Sequence, residues 1–141
     1  MRSINKIIVH CSATQEGRHL DAAEINRWHL KRGWNGIGYH YVVLLDGTIE
    51  YGRNIYDQGA HVKNHNKGSI GVCYIGGVEE ERGKNGKWIA KDTRTPKQKE
   101  SLLLLLKTLK KMHVDATIHG HNEFAAKSCP CFDAYKEYCN I

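Results

Sequence analysis

Two short segments made almost entirely of apolar residues constrain the fold most. Residues 7–9 are Ile-Ile-Val, and residues 69–77 read SIGVCYIGG. Short runs rich in β-branched and aromatic residues are typical of buried strands. We therefore predict a first strand that stops at His10 and a central strand formed by the second segment.

Three segments have the pattern of helices, one between these strands and two after them. LDAAEINRWHLKRG has Asp21 near its start and Gly33 after its end, and TPKQKESLLLLLKTLKKMH begins with Thr95 as N-cap and Pro96 in the first turn. FDAYKEYC predicts a terminal helix. YHYVVLL and TIEYG flank an Asp-Gly turn and predict a hairpin, whereas residues 78–94 predict an exposed loop or a short hairpin. The expected fold class is α/β, a single domain with a central mixed β-sheet flanked by about three α-helices.

Length and composition indicate one domain over residues 1–141. The formal charge of +6 favours an anionic partner, such as nucleic acid, an acidic membrane surface or a cell-wall polymer. No apolar run is long enough to cross a membrane, and the N-terminal residues lack the apolar segment of a secretory signal, so we expect cytoplasmic synthesis. Five cysteines form no small-scaffold disulfide pattern, which favours reduced thiols or metal ligands.

The chemistry is concentrated at His10 and in the segment HGHNEFAAKSCP, residues 119–130. DATIHGH predicts a short strand that leads into this segment. The segment contains His121 and Cys129, eight residues apart, and both can meet His10 if this strand lies beside the first strand. Two nitrogens and one sulfur suit Zn²⁺, and three ligands leave an open position, as in catalytic sites. The alternative is a hydrogen-bonded surface histidine together with a small buried cysteine.

Four ordered motifs carry a resemblance to a known family. They are IIVHCSAT, RWHLKRGWNGIGYHYVVLLDGTIEYGR, GAHVKNHNKGSIGVCYIGG and GHNEFAAKSCPCFD. Their order and spacing resemble those of the zinc-dependent N-acetylmuramoyl-L-alanine amidases, which include phage lysozymes of amidase type and are related to the peptidoglycan recognition proteins. Only residues 79–95 fall outside the similarity. The resemblance implies hydrolysis of the amide bond between N-acetylmuramic acid and L-alanine in peptidoglycan.

The resemblance also implies roles for individual residues. It places one Zn²⁺ on His10, His121 and Cys129, and it makes Tyr39 and Lys127 the catalytic residues. His119 is a rival ligand, because it shares a strand face with His121, and the family register favours His121.

Weaker candidates are expected around this set. Four side chains are expected to contact substrate: His40, His61, Asn66 and Trp34. Cys131 departs from the small residue usual in the family, and its thiol is expected to compete for metal or to oxidise with Cys129. Cys11 adjoins a ligand but points to the opposite strand face, which indicates packing.

Two other functions remain open from the sequence. One is a peptidoglycan-binding module without catalysis; the retained Cys129 argues against it, because recognition proteins that cannot cleave typically lack that cysteine. The other is a nucleic-acid binder with a structural zinc, which requires a fourth ligand. We expect a monomer that acts on peptidoglycan or muropeptides, binds no nucleic acid, and reaches the wall after release, as phage or prophage endolysins do.

Overall fold

The computed structural model describes residues 2–141. The strands are β1 (Lys6–Cys11), β2 (Thr14–Gln15), β3 (Tyr41–Val43), β4 (Ile49–Tyr51), β5 (Ser69–Tyr74), β6 (Gly77–Val78) and β7 (Thr117–Gly120). The helices are α1 (Ala22–Lys31), α2 (Pro96–Met112) and α3 (Ala134–Tyr138), with a 3₁₀ turn at His121–Glu123. Five strands form the main sheet in the order β4-β3-β5-β1-β7. β1 runs parallel to β5 and β7, and β3 runs parallel to β5 but antiparallel to β4. The predicted mixed sheet and its three helices are confirmed.

The alternation of side chains along β1 divides the core into two layers. Ile7, Val9 and Cys11 point to the face covered by α2, where they pack with Leu102 and Leu106. His10 points to the opposite face, as expected for a neighbouring residue on a strand. The cluster on the α2 face contains more buried apolar residues than the cluster on the α1 face. Because each fully buried Leu or Ile stabilises the fold by about 1.5–3 kcal/mol, the α2 face contributes most of the apolar stabilisation.

The other face of the sheet is covered only in part. α1 contributes Ile25, which packs against Val42, Cys73 and Ile75. Asp21 caps this helix by accepting a hydrogen bond from the Glu24 N–H at 3.0 Å, as the sequence predicts. Because α1 covers only the β3–β5 part of this face, the His10 end of β1 remains available for a site.

Side-chain hydrogen bonds fasten α2 to the sheet. Thr95 and Gln98 form a reciprocal capping box, and Pro96 occupies the first turn. The amide of the fully buried Gln98 also donates to the carbonyl oxygens of Val43 and Ile75 at 3.2 and 3.0 Å. The predicted helix start is confirmed, and the same glutamine links the helix to β3 and to the residue that follows β5.

The predicted hairpin is confirmed between β3 and β4. The Leu44 N–H donates to the Thr48 carbonyl at 2.8 Å, and Gly47 adopts φ +88°, which glycine tolerates best. A small second sheet was not predicted. In it, β2, which follows β1, pairs in parallel with β6, which follows β5. Strands of two residues carry no periodic signal in a sequence.

The parallel strands bring two chemistry-bearing segments to one edge of the sheet. β1 ends on His10 and Cys11, and β7 ends on Gly120, immediately before His121. Carboxyl ends of parallel strands meet at the same edge, which is where α/β proteins commonly place their sites. Across residues 2–141, no helix combines the length and the apolar character needed to cross a membrane.

Candidate metal centre and active-site cleft

Three donor atoms converge at this edge of the sheet. The Nδ1 atoms of His10 and His121 lie 3.2 Å apart, and the Cys129 Sγ lies 3.9 Å from the His10 Nδ1. All three atoms fall within 4.8 Å of one another. Tetrahedral zinc with ordinary bond lengths separates two nitrogens by about 3.3 Å and a nitrogen and a sulfur by about 3.6 Å. The donor set and its spacing therefore fit Zn²⁺.

The local backbone explains this convergence. The register of β1 and β7 pairs Val9 with Gly120, so His121 follows directly beside His10. The turn is held by Glu123, whose carboxylate accepts the Gly120 N–H at 2.8 Å. This contact keeps the His121 ring on the His10 side of the sheet.

The cysteine is held by the end of β1. The Cys11 N–H donates to the Cys129 Sγ at 3.2 Å. This contact helps to fix the Cys129 sulfur beside His10, and cysteine binds metal as the thiolate.

The electrostatics favour neutral imidazoles at this cluster. Burial lowers the pKa of His10 well below its ordinary value, and the nearby His61, His121 and Lys127 act in the same direction. Burial also lowers the pKa of His121, with Lys127 contributing. A neutral ring keeps a free nitrogen lone pair, which metal binding requires.

His119 lies outside the cluster. Its Nδ1 is 2.9 Å from the Glu123 carboxylate, and its Nε2 is 2.6 Å from the Thr117 hydroxyl. Both ring nitrogens are therefore engaged away from the three converging donors. The geometry gives His119 a role in holding the turn that carries His121.

The structure brings Tyr39 and Lys127 to the same cleft. The Tyr39 ring lies 5.1 Å from the His10 ring, measured between centroids. Burial raises the pKa of its hydroxyl well above the ordinary value, and the thiols of Cys73, Cys129 and Cys11 add to the shift. The hydroxyl is therefore protonated near neutral pH and can donate a hydrogen bond. Lys127 is exposed and lines the cleft, two residues before Cys129.

The cleft has a volume of about 630 Å³ and opens beside the donor cluster. Three of the predicted substrate contacts, Trp34, His61 and Asn66, line it. The Trp34 ring packs on His29 at 4.5 Å between centroids and lies beneath the Arg32 guanidinium at 5.5 Å. An aromatic wall with cationic groups can bind a chain of sugar and peptide units.

The fourth predicted contact, His40, is not among the residues that line this cleft. It is 1% exposed. Its Nδ1 accepts the Gly71 N–H at 3.0 Å, and its Nε2 lies 2.9 Å from the Asp57 carbonyl and 3.2 Å from the Arg2 guanidinium. Since both ring nitrogens are occupied, the structure gives His40 a role in joining β5 to the loop around Asp57. His40 was expected to contact substrate only because the family resemblance suggests a polar contact at this position.

His29 was not among the site residues predicted from the sequence. This residue looks like an ordinary member of the amphipathic α1, yet it lines the cleft. Its Nδ1 accepts the Gly38 N–H at 2.9 Å, and burial lowers its pKa to about 4, with Arg32 and Arg53 adding to the shift. The one available signal was its position in the last turn of α1, just before the chain turns into the cleft.

Cys131 makes its side-chain contacts with Cys11 and with β6. The Cys131 Sγ lies 3.9 Å from the Cys11 Sγ and donates to the Gly77 carbonyl at 3.2 Å. Cys11 packs in the α2 face of the core, as its strand position predicts. The thiol in contact with Cys131 is therefore Cys11, whereas the sequence predicted oxidation with Cys129.

Known proteins share this sequence and architecture. Residues 1–132 match the family model described as N-acetylmuramoyl-L-alanine amidase. The endolysin of Escherichia phage T7 is 42% identical over 131 residues, which span 93% of this chain and 83% of that protein. N-acetylmuramoyl-L-alanine amidase LysC from Clostridium intestinale superposes with a TM-score of 0.80 at 26% identity, covering 99% of this chain and 87% of the other.

A second solved structure shows the fold alone. Bumblebee PGRP-SA superposes with a TM-score of 0.75 at 24% identity, covering 99% of this chain and 83% of the other. The converging donors therefore lie in an architecture that known amidases share. Taken with the match along most of its length, this means that the chain belongs to the N-acetylmuramoyl-L-alanine amidase family.

Proposed function

We propose that His10, His121 and Cys129 bind one Zn²⁺ ion, and that Tyr39 and Lys127 assist the amide hydrolysis that the ion makes possible. The reaction is that of the family: cleavage of the bond between N-acetylmuramic acid and L-alanine in peptidoglycan. The observation that carries the proposal is the convergence of two nitrogens and one sulfur beside a cleft. Three protein ligands leave one position of a tetrahedral ion open, as catalytic sites do.

The chemistry divides between the ion and the chain. When bound, the ion supplies Lewis acidity, which makes water a better nucleophile near neutral pH and polarises the scissile carbonyl. Water oxygen bonds to the carbonyl carbon, the C–N bond breaks, and the amine of L-alanine leaves with a proton. The lactyl group of the sugar retains a carboxylate.

The side chains stabilise the charge that develops during this reaction. The Tyr39 hydroxyl is protonated, and the Tyr39 ring lies beside His10 in the lining of the cleft, so the hydroxyl can donate to the developing oxyanion. The Lys127 ammonium adds positive charge at the rim of the same cleft. Neither group is among the three donor atoms that hold the ion, so their contribution is to rate rather than to metal binding.

Substrate recognition belongs to the walls of the cleft. Trp34 offers an apolar face to a sugar ring or an alanine side chain, and Asn66 also lines the cleft. We propose that residues 1–141 form a single catalytic domain that acts as a monomer.

The site of action follows from the relatives. The chain is similar to phage endolysins, so we propose that it acts on the cell wall after release from the cell that makes it. Its formal charge of +6 favours approach to anionic wall polymers.

Two competing functions make different structural demands. A binding module without catalysis does not need Cys129, yet the structure places this thiol with the two histidines. A structural zinc site in a nucleic-acid binder needs four closed ligands. Among residues 2–141, the cluster contains three.

Metal stoichiometry tests the proposal. Purified protein is dialysed against zinc and then against metal-free buffer, and bound zinc is measured by elemental analysis. We expect one zinc per chain in the wild type and little in Cys129→Ser. The matched control Cys139→Ser should keep one zinc, because Cys139 is exposed at the C-terminal end of α3. Full zinc retention by Cys129→Ser would overturn the ligand assignment.

A further inference from the structure

A line of buried polar groups runs from His10 away from the metal centre. The His10 Nε2 lies 2.8 Å from the His61 Nδ1, and the His61 Nε2 lies 3.1 Å from the Ser69 Oγ. The line ends where the Ser69 hydroxyl meets the Asn66 carbonyl, also at 3.1 Å. His10 is 1% exposed, Ser69 is 0% exposed and His61 is 9% exposed.

The last group in the line determines the direction of every hydrogen bond. The Asn66 carbonyl can only accept, so the Ser69 hydroxyl donates to it. The Ser69 oxygen then accepts from the Nε2–H of His61. A neutral imidazole carries one N–H, so the His61 Nδ1 accepts the Nε2–H of His10. This order leaves the His10 Nδ1 without a proton, and that atom is the one that faces His121 and Cys129.

The surrounding backbone forms a fitted slot for the His61 ring. A Cβ added to Gly71 would lie 2.6 Å from the ring, and one added to Gly59 would lie 2.7 Å from it. The Asn66 side-chain oxygen accepts the N–H groups of His61 and Val62 at 2.8 and 2.9 Å. The ring and its backbone are therefore both held in place. Asn66 was expected from the sequence to contact substrate, whereas in the structure its side chain holds the backbone of His61 and Val62.

We infer that His61 is a positioning residue: with Ser69 and Asn66 behind it, His61 fixes the ring orientation and the tautomer of His10 that binds the metal. This inference deepens the proposed function and rests on its ligand assignment. Groups that orient metal-binding histidines typically contribute about 10- to 100-fold to metal affinity or activity. Without an acceptor at the His61 Nδ1 position, the buried His10 Nε2–H has no partner, and the ring gains freedom to turn or to move its proton to Nδ1.

A pair of substitutions separates the hydrogen bond from the packing. His61→Asn keeps an oxygen acceptor near the position of Nδ1, whereas His61→Leu fills similar space without one. Zinc affinity is measured by competition with a chromogenic chelator. We expect a loss of about 10- to 100-fold for His61→Leu and recovery of most of that affinity in His61→Asn. Wild-type affinity in His61→Leu, or equal losses in both variants, would overturn the inference.

The tautomer itself gives a readout that a purely structural role does not predict. In metal-free wild-type protein at neutral pH, ¹⁵N NMR of histidine rings distinguishes Nδ1–H from Nε2–H. We expect His10 and His61 both as the Nε2–H tautomer. The reversed line, in which Ser69 donates to His61 and His10 carries its proton on Nδ1, would contradict the inference.

The NMR result also separates this inference from the proposed function. The measurement needs neither zinc nor amidase activity. If the protein bound no zinc, the metal assignment would be refuted, but the observed tautomers would still show whether the line from His10 to Asn66 is ordered as inferred. Should His61→Leu fail to fold, Ser69→Ala provides the second variant, because it removes the acceptor of the His61 Nε2–H at the far end of the line. We expect mixed His61 tautomers in Ser69→Ala. A single, unchanged His61 tautomer would contradict the proposed order of hydrogen bonds.

Discussion

Replacing Tyr39 with Phe tests the catalytic assignment by removing one oxygen atom. The aromatic ring that lies 5.1 Å from His10 stays in place. The hydroxyl is not one of the three converging donor atoms, so the variant should bind zinc as tightly as the wild type. Loss of one donor to a developing oxyanion lowers kcat by about 10²- to 10³-fold, or about 2.7–4 kcal/mol of transition-state stabilisation.

The structure places the expected effect at the lower end of this range. Lys127 remains in the cleft of Tyr39→Phe and still offers positive charge to the intermediate. We therefore expect a fall in kcat of about 10²-fold with KM nearly unchanged, the pattern of a group that acts mainly in the transition state. Initial rates on a soluble muropeptide, together with zinc content, measure both quantities.

A matched control comes from the next tyrosine in the chain, Tyr41, the first residue of β3. Tyr41→Phe makes the same chemical change on the α2 face of the sheet, where Tyr41 lies 5.7 Å from the Tyr51 ring. It should leave kcat and zinc content unchanged. Wild-type turnover in Tyr39→Phe, or loss of its zinc, would refute the assigned role.

The other predictions concern rate, packing and acid stability. Lys127→Met should lower kcat by about 10- to 100-fold, less than Tyr39→Phe because an exposed ammonium is screened by solvent; Lys127→Arg should restore most of it, and equal rates in both would show that charge is not needed. Leu106→Ala, at a fully buried position, should lower the free energy of unfolding by about 2–5 kcal/mol in urea titrations, whereas the exposed Leu104→Ala should change it by less than about 0.5 kcal/mol. Hydrogen bonding by Arg94 lowers the pKa of the Glu137 carboxyl, so its contribution is present above the ordinary value of 4.5 and is lost as pH falls through the lower folded value. Thermal unfolding should show Glu137→Gln less stable than the wild type at neutral pH, with the difference shrinking below about pH 4; a constant difference down to pH 2 would contradict this.

The sequence predicted the elements with strong local signals. The Asp21 and Thr95 caps, the Asp46–Gly47 turn and the apolar strands each depend on a few neighbouring residues, and each was found where expected. The small sheet of β2 and β6 went unpredicted because it depends on pairing between distant segments.

The site was predictable where it coincided with strand ends. His10 and His121 follow β-rich segments, so adjacent parallel strands were enough to bring them together. The roles of His40 and His61 depend instead on which atoms surround each ring after folding. His40 became part of a loop anchor, and His61 became the hydrogen-bond partner of His10, which no spacing along the chain could reveal.

The central claim is metal-dependent cleavage of the amide between N-acetylmuramic acid and L-alanine. Purified peptidoglycan is incubated with zinc-loaded protein and with chelator-treated protein, and the soluble products are identified by mass spectrometry. The account predicts stem peptides with an unblocked N-terminal L-alanine, released only by the zinc-loaded protein. Intact peptidoglycan in both samples, with the protein bound to the wall material, would contradict the account and identify a binding module instead.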